Sequence, residues 1–125
     1  SHVPGYGHRF HPVDPRAPRL MEVLRAFESG DGIVGGMAGI AEGVAAELTA
    51  RKGRPIPLNI DGATAAIYAA LGFSPPLCRG LFVLSRSVGV LAHTWEQMQQ
   101  GGRNKGPIPR NLTWRYTGTP ARAAP

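Results

Sequence analysis

Proline and glycine divide this chain into four stretches that keep helical periodicity, and no convincing pair of strands can be read between them. The sequence holds 17 Gly and 12 Pro among 125 residues, all of them poor choices for helix and strand interiors. Short elements joined by turns are the consequence. Hydrophobic residues make up 42% of the chain, enough to build a core between those elements.

The opening VPGYGHRFHPVDPRAP has three prolines before residue 16 and glycines on both sides of Tyr6, which predicts a loop up to Asp14. Asp14-Pro15 reads as a helix start: Asp can cap exposed amides and Pro15 has its φ preset. Leu20, Val23, Leu24 and Phe27 then recur at helical spacing until Ser29-Gly30, with Glu22, Arg25 and Glu28 outside. A second helix from Met37 to about Arg51 places Met37, Ile40, Ala41, Val44 and Leu48 on one stripe, closed by Lys52-Gly53.

The prolines of Arg54-Pro-Ile-Pro-Leu demand extended chain. Asn59-Ile60-Asp61-Gly62 opens an alanine-rich third helix through Leu71, ended by Gly72. Ser74-Pro-Pro starts a fourth that runs to Gln100, with a wide apolar face of Leu81, Phe82, Leu84, Val88, Leu91, Ala92 and Trp95. Such a face predicts burial. From Gly101 onward a polar, glycine- and proline-rich tail follows, and no period of 20 to 50 residues repeats. The predicted fold class is all-α.

The formal charge is +6, and Lys52 and Lys105 are the only lysines, so nearly all the positive charge is arginine. Anionic partners follow. The planar guanidinium holds carboxylates and phosphates bidentately, so small acids or nucleotides suit this balance as well as nucleic acid does. Cys78 is the single cysteine, which excludes an internal disulfide and points to a reducing, cytoplasmic setting. The longest apolar run, Leu81 to Leu84, stops at Ser85-Arg86, far short of the roughly 20 residues of a membrane span. The first residues lack a signal-peptide pattern, and the absence of an initiator Met suggests a piece of a longer chain.

Four residues carry the chemical interest. His8 ends a PGYGH loop whose glycines let the backbone approach a ligand, although a lone loop histidine is more commonly a solvated surface residue. Arg16 lies just inside a helix start, where the dipole disfavours a cation and a bound carboxylate would relieve the conflict; an exposed arginine without a task fits equally well. Asp61 follows a stiff Pro-Leu-Asn-Ile segment and reads as an N-cap, as a general base, or as both. Arg86 sits in the most apolar helix, where burial without an anion would be costly.

His93 and Trp95 on that helix read as packing residues, and the sequon Asn111-Leu-Thr has no secretory context. No metal cluster, Walker loop or nucleophile elbow competes, so no metal is expected. One histidine, one carboxylate and two arginines suggest proton transfer on a di- or tricarboxylate.

The motifs VPGYGH, DPRA, NIDG and GLFVLSRSVGVLAH, in this order between residues 3 and 93, resemble the C-terminal part of the citrate synthase superfamily. GHRFHPVDPRAP, PLNIDGA and KGPIP look more like citryl-CoA lyases and the citrate-synthase-like module of ATP-citrate lyases. The resemblance implies a small helical domain over residues 3–76, a C-terminal helix over 77–100 that packs on a large domain missing from this chain, and an extended tail over 101–125.

The resemblance also implies roles. Val3, Pro4, Gly5, Tyr6 and Gly7 would lie against the adenine of coenzyme A, and Arg9 would assist with its phosphates. His8 would hydrogen-bond the carbonyl of oxaloacetate or the hydroxyl of a citryl group, while Arg16 and Arg86 would hold carboxylates. Asp61 would take a proton from the methyl group of acetyl-CoA, or return one to the enolate when citryl-CoA is cleaved. The partners implied are oxaloacetate or citrate, a coenzyme A thioester, and a second copy of the chain in a homodimer or higher oligomer.

Two departures qualify this. The family's other catalytic histidine, in a His-Gly-Gly-Ala-like motif of an earlier domain, has no counterpart here. The family's arginine from the partner subunit, near an Arg-Pro, meets Gly106-Pro107 in this chain, with Arg103, Lys105 or Arg110 as substitutes. The isolated chain is therefore expected to have little or no activity. Rival readings are a basic helical module that binds nucleic acid through the arginines from Arg103 to Arg122, and a module that self-associates through residues 81–95.

Overall fold

A computed structural model describes residues 3–101 and Pro120. It contains four α-helices: α1 (Ala17–Phe27), α2 (Met37–Lys52), α3 (Ile60–Ala70) and α4 (Pro75–Gln99). The expected all-α class holds, and the only strand-like feature among the described residues is one antiparallel bridge between Tyr6 and Leu58. Most of the expected tail, including Arg103, Lys105, Arg110 and Asn111, lies outside the described residues. The chain divides into two units, Ser1–Leu84 and Ser85–Pro125.

In the first unit α3 packs against both α1 and α2. Its alanines Ala63, Ala66 and Ala70 meet Ala17, Met21 and Leu24 of α1, Ala38 and Ala41 of α2, and Leu58 in one apolar cluster. Small side chains on the facing surfaces let the helices approach closely, so a thin core still excludes water. Leu24 is the largest fully buried apolar side chain.

Three expectations about helix ends and faces are corrected. Helix α1 begins at Ala17, with Arg16 in the capping position and Pro18 rather than Pro15 in its first turn. Asp14 does not cap it in the ordinary way, because its carboxylate is committed to Arg16 and to the amide of Ile60. Helix α3 is capped by Asn59 instead of Asp61: the Asn59 side chain accepts from the amides of Asp61 and Gly62. On α2 the buried residues are Ala38 and Ala41, while Ile40 is 60% exposed. The face that turns inward is thus the small one, selected by the alanines of α3 opposite it.

Glu28, expected to point outward, crosses from the end of α1 to accept a hydrogen bond from the Ala38 amide at 2.8 Å. A carboxylate there satisfies an otherwise orphaned donor and complements the positive end of the α2 dipole. Gly53 ends α2 at φ +64°, with its amide on the Thr49 carbonyl, the left-handed cap that glycine makes at low cost.

Helix α4 behaves unlike the others, for no residue of it is buried. In this chain alone Val88, Leu91, Trp95 and Met98 are exposed, as is His93, and the packing surface expected for this helix is one the chain does not contain. No helix among the described residues is long and apolar enough to cross a membrane.

Candidate functional site

The loop that opens the chain is bound to the segment before α3. The Gly7 amide donates to the Pro57 carbonyl at 2.7 Å, and the Asn59 amide donates to the Gly5 carbonyl at 3.0 Å. The Asn59 side-chain amide adds a bond to the Gly7 carbonyl at 2.8 Å. Tyr6 anchors the loop from its other side, its hydroxyl donating to the Ala41 carbonyl at 3.1 Å. Partial burial raises the pKa of that phenol, which keeps it a donor.

Two glycines make this contact possible. Gly5 has φ +88°, and a Cβ built on it would sit 2.9 Å from the Gly62 Cα. A Cβ on Gly62 would in turn overlap the Gly5 carbonyl. Backbone therefore lies directly on backbone where the loop meets the first turn of α3.

His8 follows this anchored stretch. Its Nδ1 accepts from the amides of Phe10 at 3.1 Å and His11 at 3.0 Å, and the Phe10 and His11 rings flank it. An imidazole nitrogen that accepts carries no proton, so these bonds select the neutral tautomer with hydrogen on Nε2. The free end of the ring is then a hydrogen-bond donor. Arg9 is exposed and lies over the Phe10 ring at 5.5 Å.

Arg16 is met by a carboxylate, but one the sequence reasoning did not choose. Asp14, wholly buried, receives a two-pronged bond from Arg16, Nε to Oδ1 and a terminal nitrogen to Oδ2, each at 2.9 Å. The same carboxylate accepts from the amides of Arg16 at 3.1 Å and Ile60 at 2.9 Å. The hydrogen bond from Arg16 is the main reason that Asp14 titrates well below the usual carboxylate range; the Ile60 and Arg16 amides add to it while burial opposes it. Arg16 in turn is held charged by that bond, with the nearby charge of Asp61 contributing in the same sense. Its side chain stays 54% exposed, so it can still face a ligand.

Asp61 is exposed in the first turn of α3, one residue past the Ile60 amide held by Asp14. The loop of His8, the arginine at the head of α1 and the carboxylate at the head of α3 are thus tied to one junction, through Asn59 on one side and Asp14 on the other. Neither linking residue was singled out from the sequence for this task. The signals were an Asp two residues before an Arg, and an Asn two residues before an Asp at a helix start.

Arg86 belongs to the other unit and is exposed, so the argument from the cost of burial does not apply to it in this chain. Among the described residues no group of three or more His, Cys, Asp or Glu side chains could hold a metal ion.

Comparison with known proteins gives a consistent picture. Residues 1–114 match the model of the citrate synthase C-terminal domain. A citrate synthase of Heyndrickxia coagulans is 33% identical over 120 residues, covering 93% of this chain and 29% of that protein. Citrate synthase 1 of Mycobacterium tuberculosis is 33% identical over 90% of this chain and 27% of its own length. Among solved structures, citryl-CoA lyase from Hydrogenobacter thermophilus aligns with TM-score 0.66 and 37% identity, over 99% of this chain and 47% of that one.

Proposed function

We infer the function of this chain from its kinship: it belongs to the citrate synthase family, matched over residues 1–114 by the C-terminal domain and spanning under a third of its curated relatives. We propose that it forms part of an active site that makes or breaks the carbon–carbon bond between acetyl-CoA and oxaloacetate. The reading also assigns residues 3–76 to the small domain and 77–100 to a helix that packs on a large domain.

The observation that carries the proposal is the shared junction of His8, Arg16 and Asp61, reached through the bonds of Asn59 and Asp14. In condensation Asp61 removes a proton from the methyl group of the thioester. The resulting enolate carbon attacks the carbonyl carbon of oxaloacetate, and the Nε2–H of His8 stabilises the oxyanion that develops there. Cleavage runs the same steps in reverse, with Asp61 returning the proton. Arg16 and Arg86 hold carboxylates of the four-carbon acid or of citrate, and Val3 to Gly7 with Arg9 receive the nucleotide part of coenzyme A.

The proposed setting is cytoplasmic and the assembly a homodimer or higher homo-oligomer. The uncovered apolar residues of α4 support a missing partner surface, whether a large domain or a second copy.

Condensation of acetyl-CoA with oxaloacetate and cleavage of citryl-CoA, measured by thiol release and by acetyl-CoA formation, test the reading. The chain alone is expected to be inactive, and the complete enzyme active and abolished by Asp61→Asn. Robust turnover by the isolated chain would overturn the proposed division of labour. Binding that weakens steeply with salt and favours DNA over oxaloacetate would support the nucleic-acid alternative instead.

A further inference from the structure

Helix capping asks for an acceptor only. Ser, Thr and Asp supply one as well as Asn does, yet position 59 carries a side chain with a donor as well. Both halves of the Asn59 amide are in use. Oδ1 accepts from Asp61 at 2.9 Å and Gly62 at 3.2 Å, while Nδ2 donates to the Gly7 carbonyl at 2.8 Å. The orientation of the amide follows from its surroundings, since the reverse would set NH2 against two N–H groups and oxygen against a carbonyl.

The two ends of this amide reach different catalytic segments. The Gly7 carbonyl belongs to the planar peptide unit that carries the His8 amide, so holding that oxygen holds the entry into His8. On the far side, the His8 ring is held by the Phe10 and His11 amides. Oδ1 meanwhile holds the Asp61 amide directly. One rigid, planar group therefore spans from the backbone leading into the histidine to the backbone of the carboxylate.

We propose that Asn59 is a positioning residue that sets the spacing between His8 and Asp61, with its donor half serving the reaction and its acceptor half serving helix α3. The proposal rests on the reading that His8 and Asp61 are the reacting groups. Such spacing matters because small misplacements of reacting groups cost large factors in rate.

Asn59→Ser and Asn59→Ala separate the two halves. Serine keeps the cap and loses the donor; alanine loses both. In the complete enzyme, kcat is expected to fall by about tenfold or more in both variants to a similar degree, with thermal stability lowered mainly in Asn59→Ala. A merely structural role predicts the opposite pattern, with kcat following stability and Asn59→Ser close to wild type.

A second readout needs no substrate. In the chain itself, the Gly7 carbonyl carbon resonance is expected to shift in Asn59→Ser while the Asp61 and Gly62 amides keep their exchange protection. Wild-type kcat in Asn59→Ser, or an unmoved Gly7 resonance, would overturn the proposal alone. A complete wild-type enzyme that neither condenses nor cleaves would overturn the functional reading, and with it the role given to Asn59.

Discussion

Helices α3 and α4 are both rich in apolar residues and meet opposite fates. Helix α3 is rich in alanine, yet it buries three residues and is held at its start by Asn59 and Asp14 and at its end by the Ala70 carbonyl receiving the Val34 amide. Helix α4 carries Val, Leu, Trp and Met and buries none. Apolar content alone does not decide burial; a matching surface does. The residues proposed for the chemistry, Arg86 apart, lie where this chain supplies that surface itself.

The sharpest way to break this comparison is to delete equal volumes from both sides of it. Leu24→Ala should cost about 3 kcal/mol in denaturant unfolding, because it opens a cavity between α1 and α3. Leu91→Ala removes the same volume from α4 at a site 72% exposed.

Gly62→Ala comes next, at about 2 kcal/mol, since the new methyl group overlaps the Gly5 carbonyl and must push the loop away. The loss should appear in thermal melts together with weakened protection of the Asn59 amide. If the variant melts like wild type, the loop is not seated on α3 as described.

Asp14→Asn is expected to cost about 1–2 kcal/mol near neutral pH, because the NH2 that replaces one carboxylate oxygen cannot accept and meets two donors, while the bonds left on the remaining oxygen lose their charge assistance. The pH dependence has a definite sign. Asp14 is depressed in the folded state, so the unfolded chain binds the proton more readily below about pH 4. Its contribution is complete above that range and drains away as pH falls through the folded-state value. Acid titration of stability should be shallower in Asp14→Asn, and equal slopes would rule out Asp14 as the source.

The smallest effect belongs to α4: Leu91→Ala should change unfolding of the isolated chain by less than about 0.5 kcal/mol. In an assembly that covers α4, the same substitution should weaken association, measured by sedimentation. A large loss in the isolated monomer would erase the contrast between the two helices.

Much of this architecture was legible in the residues. Helical periodicity together with Gly53, Gly72 and Ser74-Pro-Pro placed all four helices within a few positions, because those signals act locally. The misreadings were of another kind. Asp14 looks like a cap from its neighbours in sequence, while its carboxylate is held by Arg16 and by the Ile60 amide, which lies 46 positions away. Of the stripe expected to face inward on α2, Ala41 is buried while Ile40 and Val44 are exposed, and Ala38 takes their place opposite the alanines of α3.

Arg86 draws its interest from burial in an apolar helix, and α4 buries none of its residues among those described. His8, Arg16 and Asp61 were found from residue type and from family resemblance. Their connection through Asn59 and Asp14 required three-dimensional contacts between distant segments.

The close approach of Gly5 and Gly62 also limits how this domain can be re-engineered. Each position is defined by the other, so the opening loop and the head of α3 behave as one unit of inheritance despite the helices between them. A chimera that imports residues 3–16 from a relative should bring that relative's 57–62 segment with it, or the two halves will be cut for different partners.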